Sequence, residues 1–411
     1  MMRLRTSGRV VASIIVIGVG VGVGGCKKEA PPQPPPLAPI VAPEPPPPPP
    51  EPRADAECAA PIATSPAAEL KMGSRKASAA GSKLSFSDPD PDGQWTLGVL
   101  GPINEDSGAN LLAIKRYLKF FAEEKVDAVA VTGDVGEVPD GIARALVAVA
   151  EAKVPVLVIA GNRECKTDYT KALEKASSVS PWVVNMNRYR AVEFPGATVL
   201  SLPGYHDPNY ITCATGCRYY PSSVDEVVTL AKVAPGPTVL LAHGPFKGEG
   251  SQALDYASSG GNVGNPELNK ALEDGKIAFG AFSNIKEAGA RATDLSGAAV
   301  VKPGVWSPAI YLNPGPADTV RWEMNDKSTG TGFAAVLQIK GKEGRWKLYR
   351  AKPLTKVEMA EAKKLDPPPR ADGVADEAAG ADDVAPTPLT ATPDAGVKPP
   401  SATGVPKTPT E

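Results

Sequence analysis

The middle of the chain alternates between short apolar runs and amphipathic segments. Six apolar runs have the length of buried strands, at residues 95–100, 127–132, 154–160, 198–202, 238–242 and 277–282. Helical spacing of apolar positions occurs between several of them, at residues 110–124, 141–153, 167–177, 223–233 and 266–274. This alternation predicts an α/β architecture with largely buried strands. Residues 332–340 and 345–351 predict a closing hairpin with a turn at residues 341–344.

The two ends of the chain have a different composition from the middle. Of the 411 residues, 45 are proline, roughly twice the usual share, and 14 of these lie within residues 31–52. Such a segment favours a stiff polyproline II spacer. We therefore expect a Pro/Ala-rich linker at 27–94 that is mostly disordered, one folded domain at 95–353, and a Pro/Ala/Thr-rich disordered tail at 354–411.

The first 26 residues have the pattern of an export signal. Arg3, Arg5 and Arg9 precede a short apolar stretch, which is followed by Gly24, Gly25 and Cys26. This ending resembles the lipobox of bacterial lipoproteins, in which the cysteine carries the lipid. The resemblance implies an exported protein, anchored through lipidated Cys26 to a membrane of the bacterial cell envelope and facing the periplasm or the cell surface. The alternative is an uncleaved N-terminal anchor.

The overall charge argues against one class of partner. The chain has 46 acidic and 44 basic residues, which gives a formal net charge of −2. A protein that binds nucleic acid through bulk charge has a clear basic excess. We therefore expect no nucleic-acid partner.

Polar residues follow the predicted strands. Asp134 follows residues 127–132, Asn162 and Arg163 follow 154–160, His243 follows 238–242, and Asn284 follows 277–282. In open α/β sheets, ligands bind outside the carboxyl ends of the strands, so the set predicts a shared site. For any single residue, the alternative is that it begins a loop or caps a helix.

The ordered series of motifs resembles the calcineurin-like metallophosphoesterases. Those enzymes carry Asp-x-His, Gly-Asp, Gly-Asn-His-Asp/Glu, a separate His and Gly-His-x-His, commonly followed by Asn-Pro-Gly. The matching segments here are Gly133-Asp134, Gly161-Asn162, His243 and Asn313-Pro314-Gly315, and residues 282–289 align with the last His motif. The resemblance implies a metallophosphoesterase-like sandwich of two mixed β-sheets flanked by helices.

The sequence also departs from the family pattern at residues that matter for catalysis. Pro102 and Asn104 replace the Asp and His of the first motif, Arg163 replaces the His of the third, and Asn284 and Lys286 replace both His of the last. The chain has only two histidines, His206 and His243. No local realignment can therefore restore the missing set.

The resemblance implies two metal sites that differ in what remains of them. One site maps to Pro102, Asn104, Asp134 and Lys286, where a proline has no side-chain donor and an ammonium repels a cation. The other maps to Asp134, Asn162, His243 and Asn284. This second set suits one hard divalent ion, manganese or magnesium, held weakly, and it is a poor zinc site.

Two functions follow from these replacements. The favoured one is a pseudoenzyme without a cofactor, acting as a binding or scaffold module in the envelope, with Lys286 paired to Asp134. The alternative is a phosphoesterase that uses the single remaining metal site, with Arg163 as the catalytic residue that holds the phosphate. The corresponding partners are an envelope protein or a phosphate-bearing small molecule.

Five cysteines are present, and four remain when Cys26 is assigned to the lipid. Four cysteines in an exported protein permit two disulfides with three possible pairings. Cys213 and Cys217 lie in one loop and predict a local disulfide, which would leave Cys58 to pair with Cys165. The alternative is that the thiols are free and buried.

Overall fold

Two β-sheets form the centre of the structure, a computed structural model that describes residues 58–88 and 92–368. These residues belong to one compact unit. The predicted signal peptide, Cys26, the proline-rich spacer at 31–52 and the end of the predicted tail lie outside the described residues. None of the helices in the described ranges is long and apolar enough to cross a bilayer.

The elements follow one another along the chain in an order that matches the predicted alternation. The strands are β1 (Ala68–Met72), β2 (Arg75–Ala80), β3 (Lys83–Phe86), β4 (Trp95–Leu100), β5 (Ala128–Val131), β6 (Val156–Val158), β7 (Val183–Asn185), β8 (Ala191–Phe194), β9 (Ala197–Leu202), β10 (Thr238–Ala242), β11 (Tyr256–Ala257), β12 (Gly261–Asn262), β13 (Phe279–Ala281), β14 (Arg291–Thr293), β15 (Ile310–Asn313), β16 (Trp322–Glu323), β17 (Thr329–Gly330), β18 (Phe333–Lys340) and β19 (Glu343–Arg350). The helices are α1 (Gly108–Glu123), α2 (Pro139–Ala150), α3 (Lys166–Val179), α4 (Pro221–Val233), α5 (Pro266–Asp274) and α6 (Lys356–Leu365).

Both large sheets are mixed. The first has the order β19-β18-β4-β5-β6-β7, in which β4 to β7 are parallel and β18 runs antiparallel to both of its neighbours. The second has nine strands in the order β1-β2-β3-β8-β9-β10-β13-β15-β14, with a parallel centre from β9 to β15. Parallel strands at the centre of a sheet are covered on both faces, which explains why their sequences are apolar without alternation.

The apolar core consists of three layers. One layer lies between the sheets and contains Leu97, Val99, Val199 and Leu241 from both of them. A second packs α1, α2 and α3 on the outer face of the six-stranded sheet, and a third packs α4 and α5 on the nine-stranded sheet. The predicted fold class, an α/β sandwich of two mixed sheets flanked by helices, is therefore confirmed.

The predicted linker at 27–94 is wrong for the part of it that the structure describes. Strands β1, β2 and β3 extend one edge of the nine-stranded sheet, and β3 pairs parallel to β8. Ala and Lys are the commonest residues of these strands, so their sequence lacks the apolar periodicity that marked the central strands. Backbone pairing and the buried residues Ala77, Leu84 and Phe86 hold them on the domain.

The predicted start of the C-terminal tail, at residue 354, also lies too early in the chain. Residues 356–365 form α6, which begins with a capping box between Thr355 and Glu358. The Arg116 side chain on α1 pairs with Glu358, and the Asp366 carboxylate accepts the backbone N–H of Gly108 at 2.7 Å. The described domain therefore reaches residue 368 instead of ending at 353.

Candidate functional site

The loops that follow β4, β5, β6, β10 and β13 are bonded to one another around Asp134 and His243, and this place is called the crevice below. The parallel strands of each sheet end at the same edge, and the two edges meet at Asp134 and His243. The carboxylate Oδ1 of Asp134, after β5, lies 3.3 Å from Nε2 of His243, after β10. The sequence predicted this convergence, and the structure brings Asp134, Asn162 and His243 into direct contact.

Asp134 is held mainly by backbone groups. Its Oδ1 accepts the backbone N–H groups of Asn162 and Arg163, each at 3.2 Å. Its own carbonyl accepts the backbone N–H groups of Ile103 and Asn104, each at 2.9 Å. Asp134 is only 2% exposed. One residue thus ties together the loops after β4, β5 and β6.

Two glycines allow this close approach. A Cβ atom on Gly161 would lie 2.3 Å from Oδ1 of Asp134, and a Cβ atom on Gly133 would lie 2.7 Å from Nδ1 of His243. Both distances are shorter than non-bonded atoms tolerate. Gly133 also has a φ of 93°, which an L residue rarely adopts. The glycines of the Gly-Asp and Gly-Asn motifs are therefore required by packing around Asp134 and His243.

The contacts of His243 fix the orientation of its ring. Its Nδ1 lies 2.8 Å from the carbonyl of Thr132, which can only accept, so Nδ1 carries a proton. Its Nε2 lies 2.9 Å from Oδ1 of Asn162 and faces Asp134 as well. Two oxygen acceptors opposite Nε2 require a second proton or a cation there.

The charges of this pair reinforce each other. Burial alone would lower the pKa of His243, but the Asp134 carboxylate raises it above its usual value. Burial likewise opposes ionisation of Asp134, but His243, helped by Lys286 and Arg163, lowers the pKa of Asp134 to about 2. The arrangement that follows is a buried carboxylate and imidazolium, with the Nε2 proton between the two side chains.

Glu164 is a fourth member of this cluster that the sequence analysis did not assign. It is fully buried, and its two carboxyl oxygens accept the backbone N–H groups of Val135 at 2.6 Å and Gly161 at 2.8 Å. Burial and the nearby charge of Asp134 raise the pKa of Glu164 to about 7. Its place in the Gly-Asn-x-Glu segment was the available signal.

The positions of the other implied metal site have different partners. Pro102 is buried and offers only its backbone carbonyl, which accepts the N–H of Ala317 at 2.7 Å. Asn104 donates its side-chain N–H to the carboxylate of Asp318. The remaining amide oxygen of Asn104 has no hydrogen-bond partner.

Asp318 is a second group that the sequence analysis missed. It is fully buried, and its Oδ1 also accepts the indole N–H of Trp322 at 3.0 Å and the backbone N–H of Val320 at 3.1 Å. Burial raises the pKa of Asp318, while the bonds from Trp322 and Asn104 work against that rise. No short motif marks Asp318, which follows the Asn-Pro-Gly segment in an irregular loop.

Lys286 does not pair directly with Asp134, so the predicted ion pair is wrong. Its Nζ lies over the indole of Trp322, 4.6 Å from the ring centroid. From there it lowers the pKa of both Asp134 and Asp318 through space. An indole face attracts an ammonium group, and Trp322 is the partner that sequence spacing could not reveal.

Asn284 and Arg163 also have protein partners. The Asn284 side chain interacts with the hydroxyl of Tyr205. The Arg163 guanidinium lies 2.5 Å from the carboxylate of Glu137 and is 16% exposed. Arg163 also acts on Asp134, because its charge lowers the pKa of that carboxyl group.

These contacts decide whether the two metals implied by the resemblance fit the residues present. At the first site, Pro102 has no side-chain donor atom, Asn104 turns its N–H toward Asp318, and the Lys286 ammonium lies nearby. Within residues 58–88 and 92–368, no three His, Cys, Asp or Glu side chains are grouped as metal ligands. A two-metal centre does not fit this crevice.

A loop that two disulfides hold lies over Asn162. Cys58 pairs with Cys217, and Cys165 pairs with Cys213, so the predicted Cys213–Cys217 disulfide is wrong. Cys217 is buried in the helix-covered core together with Cys58, whereas Cys213 lies beside Cys165. The two loop cysteines therefore bond to different parts of the domain.

Comparisons with known proteins identify similar solved structures but no family. No family model matches the chain, and no curated protein matches it. A dimetal phosphatase from Danio rerio is 12% identical, covers 62% of this chain and 98% of its own, and has a TM-score of 0.36.

Two further structures are similar to the same extent. GAP50, described as the anchor in the inner membrane complex of Plasmodium, is 13% identical over 67% of this chain and 95% of its own, with a TM-score of 0.40. A putative 5'-nucleotidase from Staphylococcus aureus is 10% identical over 66% of this chain and 58% of its own, with a TM-score of 0.39. At TM-scores this low, the likenesses carry no argument about activity, which must come from the crevice itself.

Proposed function

We propose that this protein is a non-hydrolytic relative of the calcineurin-like metallophosphoesterases, and that it serves as an exported, lipid-anchored binding or scaffold module of the bacterial envelope. The motif series supports the family, and the Gly24-Gly25-Cys26 segment supports the anchor. In this proposal the crevice works without a cofactor.

One observation supports the proposal that the protein does not hydrolyse phosphate esters. The family mechanism needs two metal ions about 4 Å apart that clamp the phosphate and generate a hydroxide. Here the side chains at the positions of one site interact with other protein groups: Asn104 with Asp318, and Lys286 with Trp322. The Lys286 ammonium also lowers the pKa of Asp134 through space, and this positive charge disfavours a second cation beside the carboxylate.

The test is metal content together with turnover. The full chain is purified in detergent, its metal is measured by mass spectrometry, and hydrolysis of a generic phosphomonoester and phosphodiester is followed with added manganese. We expect metal well below one ion per chain and no turnover above that of the Asp134→Asn variant. Stoichiometric metal with turnover that disappears in Asp134→Asn would reject the proposal, provided that circular dichroism shows the variant to be folded.

The anchor requires its own measurement. Cells that express the full chain are fed a labelled fatty acid, and the Cys26→Ser variant is the matched control. We expect the label in the wild-type protein and none in Cys26→Ser. Equal labelling of both, or of neither, would contradict lipidation at Cys26.

A second candidate function is a phosphoesterase that uses one divalent ion, manganese or magnesium. The observation that favours it is the geometry of His243, whose Nε2 faces oxygens of Asp134 and Asn162 and requires a positive charge between them. A cation could supply this charge in place of a proton, and Arg163 would then hold the phosphate. Paramagnetic resonance of added manganese, compared with the His243→Ala variant, separates the two: a bound signal that His243→Ala abolishes favours the enzyme.

A further inference from the structure

The two disulfides differ in how accessible they are. Cys58 is 1% exposed and Cys217 is fully buried, and both pack among apolar side chains. Cys165 and Cys213 are only partly buried. Thiol–disulfide exchange requires that an attacking thiolate reach a sulfur atom. The Cys165–Cys213 disulfide is therefore the more accessible of the two in the folded protein.

The accessible disulfide also lies next to the crevice. Cys165 directly follows the Asn162-Arg163-Glu164 segment, and its disulfide fastens this segment to the loop of residues 207–216. That loop and Asn162 each donate a hydrogen bond to the other. The backbone N–H of Thr212 donates to the carbonyl of Asn162 at 3.1 Å, and the side-chain N–H of Asn162 donates to the carbonyl of Tyr210 at 2.5 Å.

The further contacts of this part of the loop are few: a 3.4 Å bond from the Thr212 hydroxyl to the Asn162 carbonyl, an edge contact between the rings of Tyr210 and Tyr205, and a bridge between Cys165 and Gly216. Ile211 and Tyr210 are partly or largely exposed, and Tyr210 has 43% of its surface open to solvent. The remaining backbone bond to the start of α3, from Lys166 to Thr215, has a length of 3.2 Å. Beyond Gly216, by contrast, the buried Cys217 and Tyr219 anchor the chain firmly. Segments with few buried contacts open first when a constraint is removed.

We propose that the Cys165–Cys213 disulfide is a redox-sensitive site at the rim of the crevice, and that its reduction by a dithiol releases residues 207–216 from Asn162 while the Cys58–Cys217 disulfide keeps the fold intact. The substrate class of this site is a small dithiol or a dithiol protein. The oxidised form holds Asn162 in register with Asp134 and His243, and the reduced form uncovers it.

The exchange proceeds in two balanced steps. A thiolate of the dithiol attacks one sulfur, the bond between Cys165 and Cys213 breaks, and a mixed disulfide forms while the departing thiolate takes a proton from water. The second thiol of the reagent then displaces the other cysteine. The dithiol is oxidised to a disulfide by two electrons, and both cysteines end as thiols.

The experiment measures each cysteine separately in the full chain. The folded protein is treated with graded dithiothreitol, the free thiols are alkylated, and the peptides containing Cys58, Cys165, Cys213 and Cys217 are quantified by mass spectrometry. We expect Cys165 and Cys213 to be labelled together, about tenfold or more faster than Cys58 and Cys217, because access controls the exchange rate. Equal rates for all four cysteines would overturn the proposal.

Hydrogen exchange then tests the release of the loop. The backbone N–H of Thr212 donates to Asn162, so its exchange reports on this contact directly. We expect faster exchange of residues 207–216 both in partly reduced protein and in the Cys165→Ser/Cys213→Ser variant, with Tyr219 unchanged. Unchanged exchange of residues 207–216 in either sample would overturn the proposal. Faster exchange throughout the domain would also overturn it, because the Cys165–Cys213 disulfide would then support the whole fold.

Discussion

The crevice has two sides that differ in what holds their polar groups. The inner side consists of Asp134, Asn162, Glu164 and His243, all less than 10% exposed and bonded largely to backbone N–H and carbonyl groups. The second side consists of Asn104, Lys286, Asp318 and Trp322, whose main contacts are between side chains.

This difference decides what each side contributes to the fold. An inner-side residue is an acceptor or donor for the loops that end several strands, so losing it leaves buried backbone groups unpaired, which is costly. On the second side the main contacts join side chains, as in the contact of Lys286 with Trp322 and of Asn104 with Asp318. The fold itself therefore requires the inner-side residues, whatever chemistry they take part in.

The most severe test of this comparison is Asp134→Ala. The substitution leaves two backbone N–H groups and a buried imidazolium without their acceptor, and we expect a loss of about 3–5 kcal/mol in the free energy of unfolding. Urea denaturation followed by fluorescence measures the loss. Asp140→Ala, at an exposed carboxylate that pairs with Lys175, is the control, with a loss below about 1 kcal/mol. Similar losses in both variants would contradict the special role of the inner side.

The second test uses pH. Because the pKa of Glu164 is raised from 4.5 to about 7 in the folded protein, the folded state binds more protons than the unfolded state between these values. The contribution of Glu164 to stability is therefore complete below pH 4.5 and is lost as the pH rises through 7, by on the order of 3 kcal/mol.

The matched control for this test is Glu164→Gln, which cannot titrate. We expect its free energy of unfolding to change less between pH 4.5 and 7 than that of the wild type, whatever its absolute value. The other inner-side carboxylate has the opposite sign, because the pKa of Asp134 is lowered to about 2; its contribution is lost only as the pH falls below about 4. Parallel pH profiles for the wild type and Glu164→Gln would refute the assignment to Glu164.

The smallest loss in the free energy of unfolding is expected for a substitution on the second side. Lys286→Met removes the interaction of the ammonium with the Trp322 indole and its support of Asp134 and Asp318, and we expect a cost of about 1 kcal/mol. Lys327→Met, at an exposed lysine whose ammonium pairs with Glu323, is the control and should change stability very little. A cost for Lys286→Met as large as that for Asp134→Ala would erase the distinction between the two sides.

Much of the fold could be predicted from the sequence, for a physical reason. Strands β4, β5 and β10 are buried on both faces, so their sequences are continuous apolar runs. Strand β1 lies at the edge of a sheet and is mostly exposed, β2 beside it is mostly half-buried, and helix α6 buries little apart from Ala362. Composition resembling that of a linker is compatible with such elements, because backbone pairing and caps hold them.

The candidate site likewise contains residues that the sequence predicted and contacts that it did not. Asp134, Asn162 and His243 were predictable because short motifs with glycines place them at strand ends. The contacts of Lys286 with Trp322 and of Asn104 with Asp318 join residues more than 30 positions apart. They depend on how an irregular loop packs, and nothing in local sequence spacing encodes that packing. The pairing of the four cysteines was unpredictable for the same reason.

The disulfide pairing has a consequence for how the protein is made. In order along the chain, the first cysteine of the domain bonds to the last, and the bond between Cys165 and Cys213 is nested inside that link. Oxidation that joins cysteines in their order along the chain would instead pair Cys58 with Cys165 and Cys213 with Cys217. Chains that form these bonds first must exchange them for the native pair, so the yield of oxidative refolding should rise when a disulfide isomerase is added.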